Sequence, residues 1–314
     1  MSRARRTLLV LAAAILVGVG GFVAWLAVRD PIAALPRAGG PARLFVTEQA
    51  TRENGRLLQR YVLREDALGE IRLVVSFPDP LPQRPLPVLV VVGGLGAAVK
   101  TARYIPPSGD NILVVYEWPI PRKLPKGLAL TRVAFDYYGR LLAAPGQVAA
   151  VIEWLAARPW ADAGRVSLLG FSLGALAAPA VQRLSQAAGR RIGWTVIAYG
   201  GADLGALVAG HPYLRPDWFK PLAAQAVRLL LRPVEPAEHL PHLSGRFLIL
   251  GGGEDEFIPR RSARLLRDLT PEPKTFVELA GDHIGVGADQ VARLHEIVRV
   301  TGRWLAEAGA VNPP

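Results

Sequence analysis

The stretch Arg165-Val166-Ser167-Leu168-Leu169-Gly170-Phe171-Ser172-Leu173-Gly174 decides how this chain is read. A short apolar run, Val166 to Leu169, feeds Gly170-Phe171-Ser172-Leu173-Gly174, and the alanine-rich segment Ala175 to Leu184 that follows is helical in composition. The pattern is G-x-S-x-G in the order strand, sharp turn, helix. On such a turn the serine Oγ is pushed clear of the sheet, and a Cβ in place of either glycine would clash across the turn. In a chain with 32 glycines the five residues alone are a weak match. The strand before them and the helix after them give the match its weight.

Val88 to Val92 and Ile112 to Tyr116 are continuous β-branched runs with glycine or proline turn signals nearby, the pattern of strands buried on both faces. Thr195 to Tyr199, Phe247 to Leu250 and Thr275 to Leu279 read as further strands. Helices are expected at Ala134 to Leu142, Pro145 to Ala157, Leu173 to Ala188, Arg260 to Asp268 and Ala288 to Ala306. Such alternation predicts an α/β fold with a mostly parallel central sheet flanked by helices. Arg43 to Thr47, Gln59 to Leu63 and Ile71 to Phe77 predict an antiparallel edge. No repeat of 20 to 50 residues interrupts the pattern.

Arg3, Arg5 and Arg6 precede the uncharged stretch Thr7 to Val28, whose 22 residues would reach roughly 33 Å as a helix, enough to cross a hydrocarbon core. Residues 1–29 are therefore expected to be an uncleaved signal anchor touching the membrane through residues 7–28, and the positive-inside rule puts the rest outside the cytoplasm. A cleaved secretory signal is the alternative, because Gly18, Gly20 and Gly21 could host cleavage. Residues 30–42, with prolines at 31, 36 and 41 and Gly39-Gly40, suit a spacer. Residues 43–314 are enough for one large domain and too few for a second. The 314-residue chain has no cysteine, which excludes disulfides, thiolate metal sites and a cysteine nucleophile. Its charge of +11 falls to +8 when Arg3, Arg5, Arg6, Arg29 and Asp30 are set aside. The arginines are scattered, so no nucleic-acid partner is expected.

A serine hydroxyl is a poor nucleophile until a base accepts its proton, and a carboxylate must hold that base in the right tautomer. Phe247 to Leu250 runs into Gly251-Gly252-Gly253-Glu254-Asp255-Glu256-Phe257-Ile258-Pro259, with Asp255 at the mouth of the turn. Thr275 to Leu279 is followed by Gly281-Asp282-His283-Ile284-Gly285, which makes His283 the candidate base. His211, His239 and His242 lie in proline-rich connections and His295 falls within a helix. The histidines and carboxylates show no metal-ligand spacing, so neither metal nor cofactor is expected.

Ser172, Asp255 and His283, in that chain order and each after a strand, resemble the α/β-hydrolase family, most closely its dienelactone-hydrolase-like and lipase or esterase branches, over roughly residues 70–310. Gly252, Asp255, Ile258 and Pro259 match the family's acid turn, and Ser172 matches its nucleophile. The resemblance implies backbone oxyanion donors at Leu173 and, in Gly93-Gly94-Leu95-Gly96, at Leu95, with Gly93 where the family commonly has histidine. It also implies acyl-serine chemistry on an ester. A small helical cap is expected at about 201–243, where Tyr213, Trp218 and Phe219 suit a hydrophobic substrate. Asp203, just past the strand ending at Tyr199, is a rival for the acid. An acyltransferase with the same triad, a noncatalytic interaction protein and a peptidase remain open. The sequence is silent on substrate identity and oligomeric state.

Overall fold

Val88, Val90 and Val92 pack into one hydrophobic cluster while Leu89 and Val91, on the alternate face of the same strand, pack into another. A strand covered on both faces belongs at the centre of an α/β sheet. The computed structural model describes residues 3–313 apart from 49, 96–97, 106–108, 122–124, 126 and 285–289. Its elements are α1 (Arg3–Val28), β1 (Arg43–Thr47), β2 (Thr51–Glu53), β3 (Arg56–Glu65), β4 (Gly69–Pro78), β5 (Leu86–Val92), α2 (Ala98–Tyr104), β6 (Ile112–Glu117), α3 (Leu128–Ala156), β7 (Ala161–Phe171), α4 (Leu173–Ala187), β8 (Trp194–Ala198), α5 (Leu204–Gly210), α6 (Lys220–Leu230), α7 (Pro236–His239), β9 (Arg246–Gly252), α8 (Arg260–Leu269), β10 (Lys274–Leu279) and α9 (Gln290–Glu307).

The strands form one sheet in the order β1-β3-β4-β6-β5-β7-β8-β9-β10, with β2 paired to β3. From β6 to β10 every neighbouring pair is parallel. The expected antiparallel edge is β1 to β4, and it meets the parallel part where β4 pairs antiparallel with β6. Parallel strands send their C-terminal ends to one side of a sheet, so the loops after β5, β7, β9 and β10 gather there.

Two helices expected at 134–142 and 145–157 are one helix, α3, with Pro145 inside it. Proline deletes one backbone hydrogen bond. Ala144, Val148, Val151 and Leu155 nevertheless bury along one face on both sides of it, so packing on the sheet carries the helix through. The three-residue β2 lies outside the strands expected from sequence; its residues, Thr-Arg-Glu, carry no apolar signal.

The expected membrane anchor lacks structural support: among the described residues no helix is long and apolar enough to cross a membrane. The segment does form the single helix α1, whose described side chains lie mostly in its second half. Leu16, Val17, Val19, Phe22, Val23, Trp25 and Val28 are exposed there, whereas Leu26 is buried. Just after α1, Arg29 donates to the Tyr138 hydroxyl and the Leu230 carbonyl at 3.4 Å each, and Arg232 donates to the Arg29 carbonyl at 2.7 Å. Residues 30–42 then run along the domain surface. Leu35 is buried, and the Gly39 and Gly40 amides donate to the Glu65 carboxylate at 2.8 and 3.2 Å.

Candidate active site

Ser172 joins β7 to α4 with φ 54° and ψ −118°, a sparsely populated conformation for a residue with a side chain. Two glycines make it attainable. A Cβ on Gly174 would stand 1.7 Å from the Val92 carbonyl oxygen, and one on Gly170 would stand 2.7 Å from the Gly174 carbonyl oxygen. The turn thus presses against the end of β5. The Ser172 amide is spent on the Ala198 carbonyl at 2.9 Å, which ties the turn to β8.

Two further loops meet Ser172 at the same end of the sheet. Ser172 Oγ lies 2.8 Å from His283 Nε2, and His283 Nδ1 lies 2.8 Å from Asp255 Oδ2. The other oxygen of Asp255 accepts from the Phe257 and Ile258 amides at 2.8 and 3.0 Å, which fixes the carboxylate. With its proton on Nδ1 toward Asp255, the imidazole presents Nε2 to the serine as an acceptor. The Asp255 and His283 side chains are only 3% and 8% exposed, so this chain of contacts is shielded from water, while Ser172 is half-buried.

The acid and histidine loops are bound to each other. Gly253 donates to the Leu279 carbonyl and Glu254 to the Gly281 carbonyl. Asp282 accepts from the His283 amide at 2.6 Å, a bond that holds the Asp282 carboxyl below its ordinary pKa, and Arg293 donates to the His283 carbonyl at 3.0 Å. Gly285, expected at the end of the histidine loop, lies outside the described residues.

Asp203 is engaged elsewhere. It caps α5 by accepting from the Ala206 amide at 3.0 Å, and it pairs with Arg228 at 3.1 and 3.3 Å. Burial raises its pKa, but those hydrogen bonds outweigh burial and leave it lowered. Glu235, a half-buried carboxylate just before α7, accepts from the Asp203 and Leu204 amides, fixing the same turn. Of the remaining histidines, His239 is fully buried against the Pro233 carbonyl and His242 and His295 are exposed.

Leu173 opens α4, where an amide has no acceptor within the helix. Leu95 follows β5 in a loop whose Gly93 carbonyl accepts from the Trp118 indole at 2.8 Å. The contact of Gly174 with Val92 brings this loop beside the serine turn. A groove of about 660 Å³ opens next to Leu95, lined also by Trp118, Arg72, Glu117 and Arg140.

Two residues at the site carry no functional signal in the sequence alone. Tyr199, with φ 57° and 1% exposure, meets the His283 ring edge-on at 5.5 Å, and Phe257 lies against the same ring at 5.2 Å. Burial pushes the Tyr199 hydroxyl up to about 12. Only its position directly after a strand, beside Gly200-Gly201, could have drawn notice to Tyr199. Among the described residues no group of three or more His, Asp or Glu side chains is placed to hold a metal ion.

No protein-family model matches the chain. Uncharacterized proteins from two strains of Mycobacterium tuberculosis are 31% identical to it over 165 residues, 49% of this chain and 53% of each relative. The chain spans about half the length of the curated relatives it matches. Among solved structures, it is similar to the acetyl xylan esterase of a Paenibacillus species, with TM-score 0.59 and 16% identity over 89% of this chain and 93% of that one. It is similar to acetyl xylan esterase 1 of a Thermoanaerobacterium species, with TM-score 0.58 and 12% identity over 86% and 91%. An S-formylglutathione hydrolase of Agrobacterium tumefaciens gives TM-score 0.56 and 15% identity over 84% and 99%. At these identities the likeness is one of fold. The chain has the α/β fold of these esterases.

Proposed function

We propose that this protein is a membrane-anchored serine hydrolase that cleaves a carboxylic ester, with Ser172 as nucleophile, His283 as base and then acid, and Asp255 as the group that orients the histidine. The observation that carries this reading is the unbroken run of contacts from Ser172 Oγ through His283 to Asp255, both at 2.8 Å. In this account Ser172 Oγ attacks the acyl carbonyl as its proton passes to His283 Nε2. The tetrahedral oxyanion is met by the Leu95 and Leu173 amides. Collapse breaks the bond to the alcohol, whose oxygen takes the proton from Nε2, and leaves an acyl-serine. Water then repeats the cycle, giving its proton to Nε2 and releasing the acid.

Anchoring rests on the uncharged stretch 7–28 behind three arginines, which favours a catalytic domain outside the cytoplasm. The exposed apolar side chains of the second half of α1 are in keeping with burial in lipid. The esterase structures of similar fold favour a small-molecule ester as substrate. The test is product analysis on acetyl esters, with and without an added acceptor alcohol. Release of acetic acid that the alcohol leaves largely unchanged supports a hydrolase; exclusive transfer to the alcohol makes the protein an acyltransferase; neither product contradicts both.

A further inference from the structure

His283 is held between two rings of very different exposure. Tyr199 meets it at 86° and is fully buried, out of reach of any substrate. Phe257 lies against it at 44° and is half-buried. Phe257 in turn carries His211, edge-on at 5.5 Å between ring centroids, and Tyr213 at 5.7 Å. His211 and Tyr213 also meet each other, at 6.1 Å, and Tyr213 is 73% exposed. An accessible wall of three rings therefore runs from the acid's own turn to the connection between α5 and α6.

The chemistry of ester cleavage decides which half of a substrate meets this wall. The proton that His283 Nε2 takes from Ser172 must pass to the oxygen of the departing alcohol, so that oxygen comes within hydrogen-bond reach of Nε2. The body of the alcohol then extends over the histidine side of the site. The acyl carbonyl is held instead toward the Leu95 and Leu173 amides, beside a groove of mixed lining that includes Leu68, Trp118 and Ile120 as well as Arg72, Glu117 and Arg140. The two halves of an ester thus meet different surfaces, and the aromatic wall of Phe257, His211 and Tyr213 lies on the side of the alcohol.

Resting on the serine-esterase reading above, we propose that Phe257, His211 and Tyr213 form the subsite for the leaving alcohol and select aromatic alcohols over small aliphatic ones. Rings prefer tilted and edge-to-face contacts, and three rings already in those relations offer a fourth the same contacts. Phe257 supplies the floor of the subsite and the two cap-side rings its outer wall.

The test uses the full chain and two esters with the same acyl group, benzyl acetate and ethyl acetate, compared by kcat/KM in the wild type and in Tyr213→Ala, His211→Ala and Phe257→Leu. Taking the benzyl-to-ethyl ratio relative to wild type cancels the intrinsic reactivity of the esters. The ratio is expected to fall about fivefold in Tyr213→Ala, with the loss in KM more than in kcat. Tyr213 is exposed, so this variant avoids the folding risk carried by Phe257→Leu. Turnover of both esters with an unchanged ratio in all three variants overturns the subsite and leaves the esterase reading standing. Turnover of neither ester by the wild type overturns both.

Discussion

Asp255 Oδ2 stands 2.8 Å from His283 Nδ1, while the other carboxylate considered for this role, Asp203, is committed to the Ala206 amide and to Arg228. Asp255→Asn should therefore lower kcat by about ten-thousandfold, because an amide facing Nδ1 favours the wrong tautomer. Asp203→Asn keeps a capping side chain and loses only a partly exposed ion pair, so it should cost about 1 kcal/mol of stability or less and leave kcat within a few-fold. Steady-state kinetics on the two variants checks the kcat values, and chemical denaturation of Asp203→Asn checks its stability. The reverse pattern would assign the acid to Asp203.

Gly174→Ala should cripple folding. The new Cβ would stand 1.7 Å from the Val92 carbonyl oxygen, a backbone atom in a strand covered on both faces. The strand would have to move, at a cost of about 3 kcal/mol or more. Chemical denaturation measures the loss. A variant as stable as wild type would mean that the serine turn does not press against β5.

His239 should make the fold sensitive to mild acid. Burial depresses its pKa from 6.5 to about 4, and its Nδ1 has no hydrogen-bond partner among the described residues. Below pH 6.5 the unfolded chain takes up a proton that the folded chain refuses until about pH 4. Its contribution is therefore fully present above pH 6.5 and is lost as pH falls from there toward 4, amounting to about 2 kcal/mol at pH 5. Comparing thermal midpoints at pH 7 and pH 5 for wild type and His239→Gln tests this. The wild type should show the larger drop, and equal drops would contradict the assignment.

The serine turn was legible because each of its residues obeys a local rule: apolar strand, glycine where a Cβ would clash, serine at the bend, alanine-rich helix. The parallel strands were legible for a similar reason, since a strand buried on both faces has no polar alternation. Pro145 splits α3 in sequence but not in the structure, because the packing of Ala144 and Val148 on the sheet is a tertiary effect that outweighs a local helix-breaking signal. Leu35 falls within the expected semi-rigid spacer, yet its burial depends on a surface that only the folded domain provides. Tyr199 and Phe257 are silent in sequence for the same reason. Their contacts with His283 join segments far apart in the chain, and no spacing or periodicity records them.

Covalent labelling of the full chain with a fluorophosphonate, followed by mapping of the modified residue, in wild type, Ser172→Ala and His283→Ala, tests whether Ser172 is an activated nucleophile. An activated serine held by His283 predicts a label on Ser172 in the wild type, and none at that position in either variant. A folded wild-type protein that takes no label, or takes it at another residue, would contradict the account.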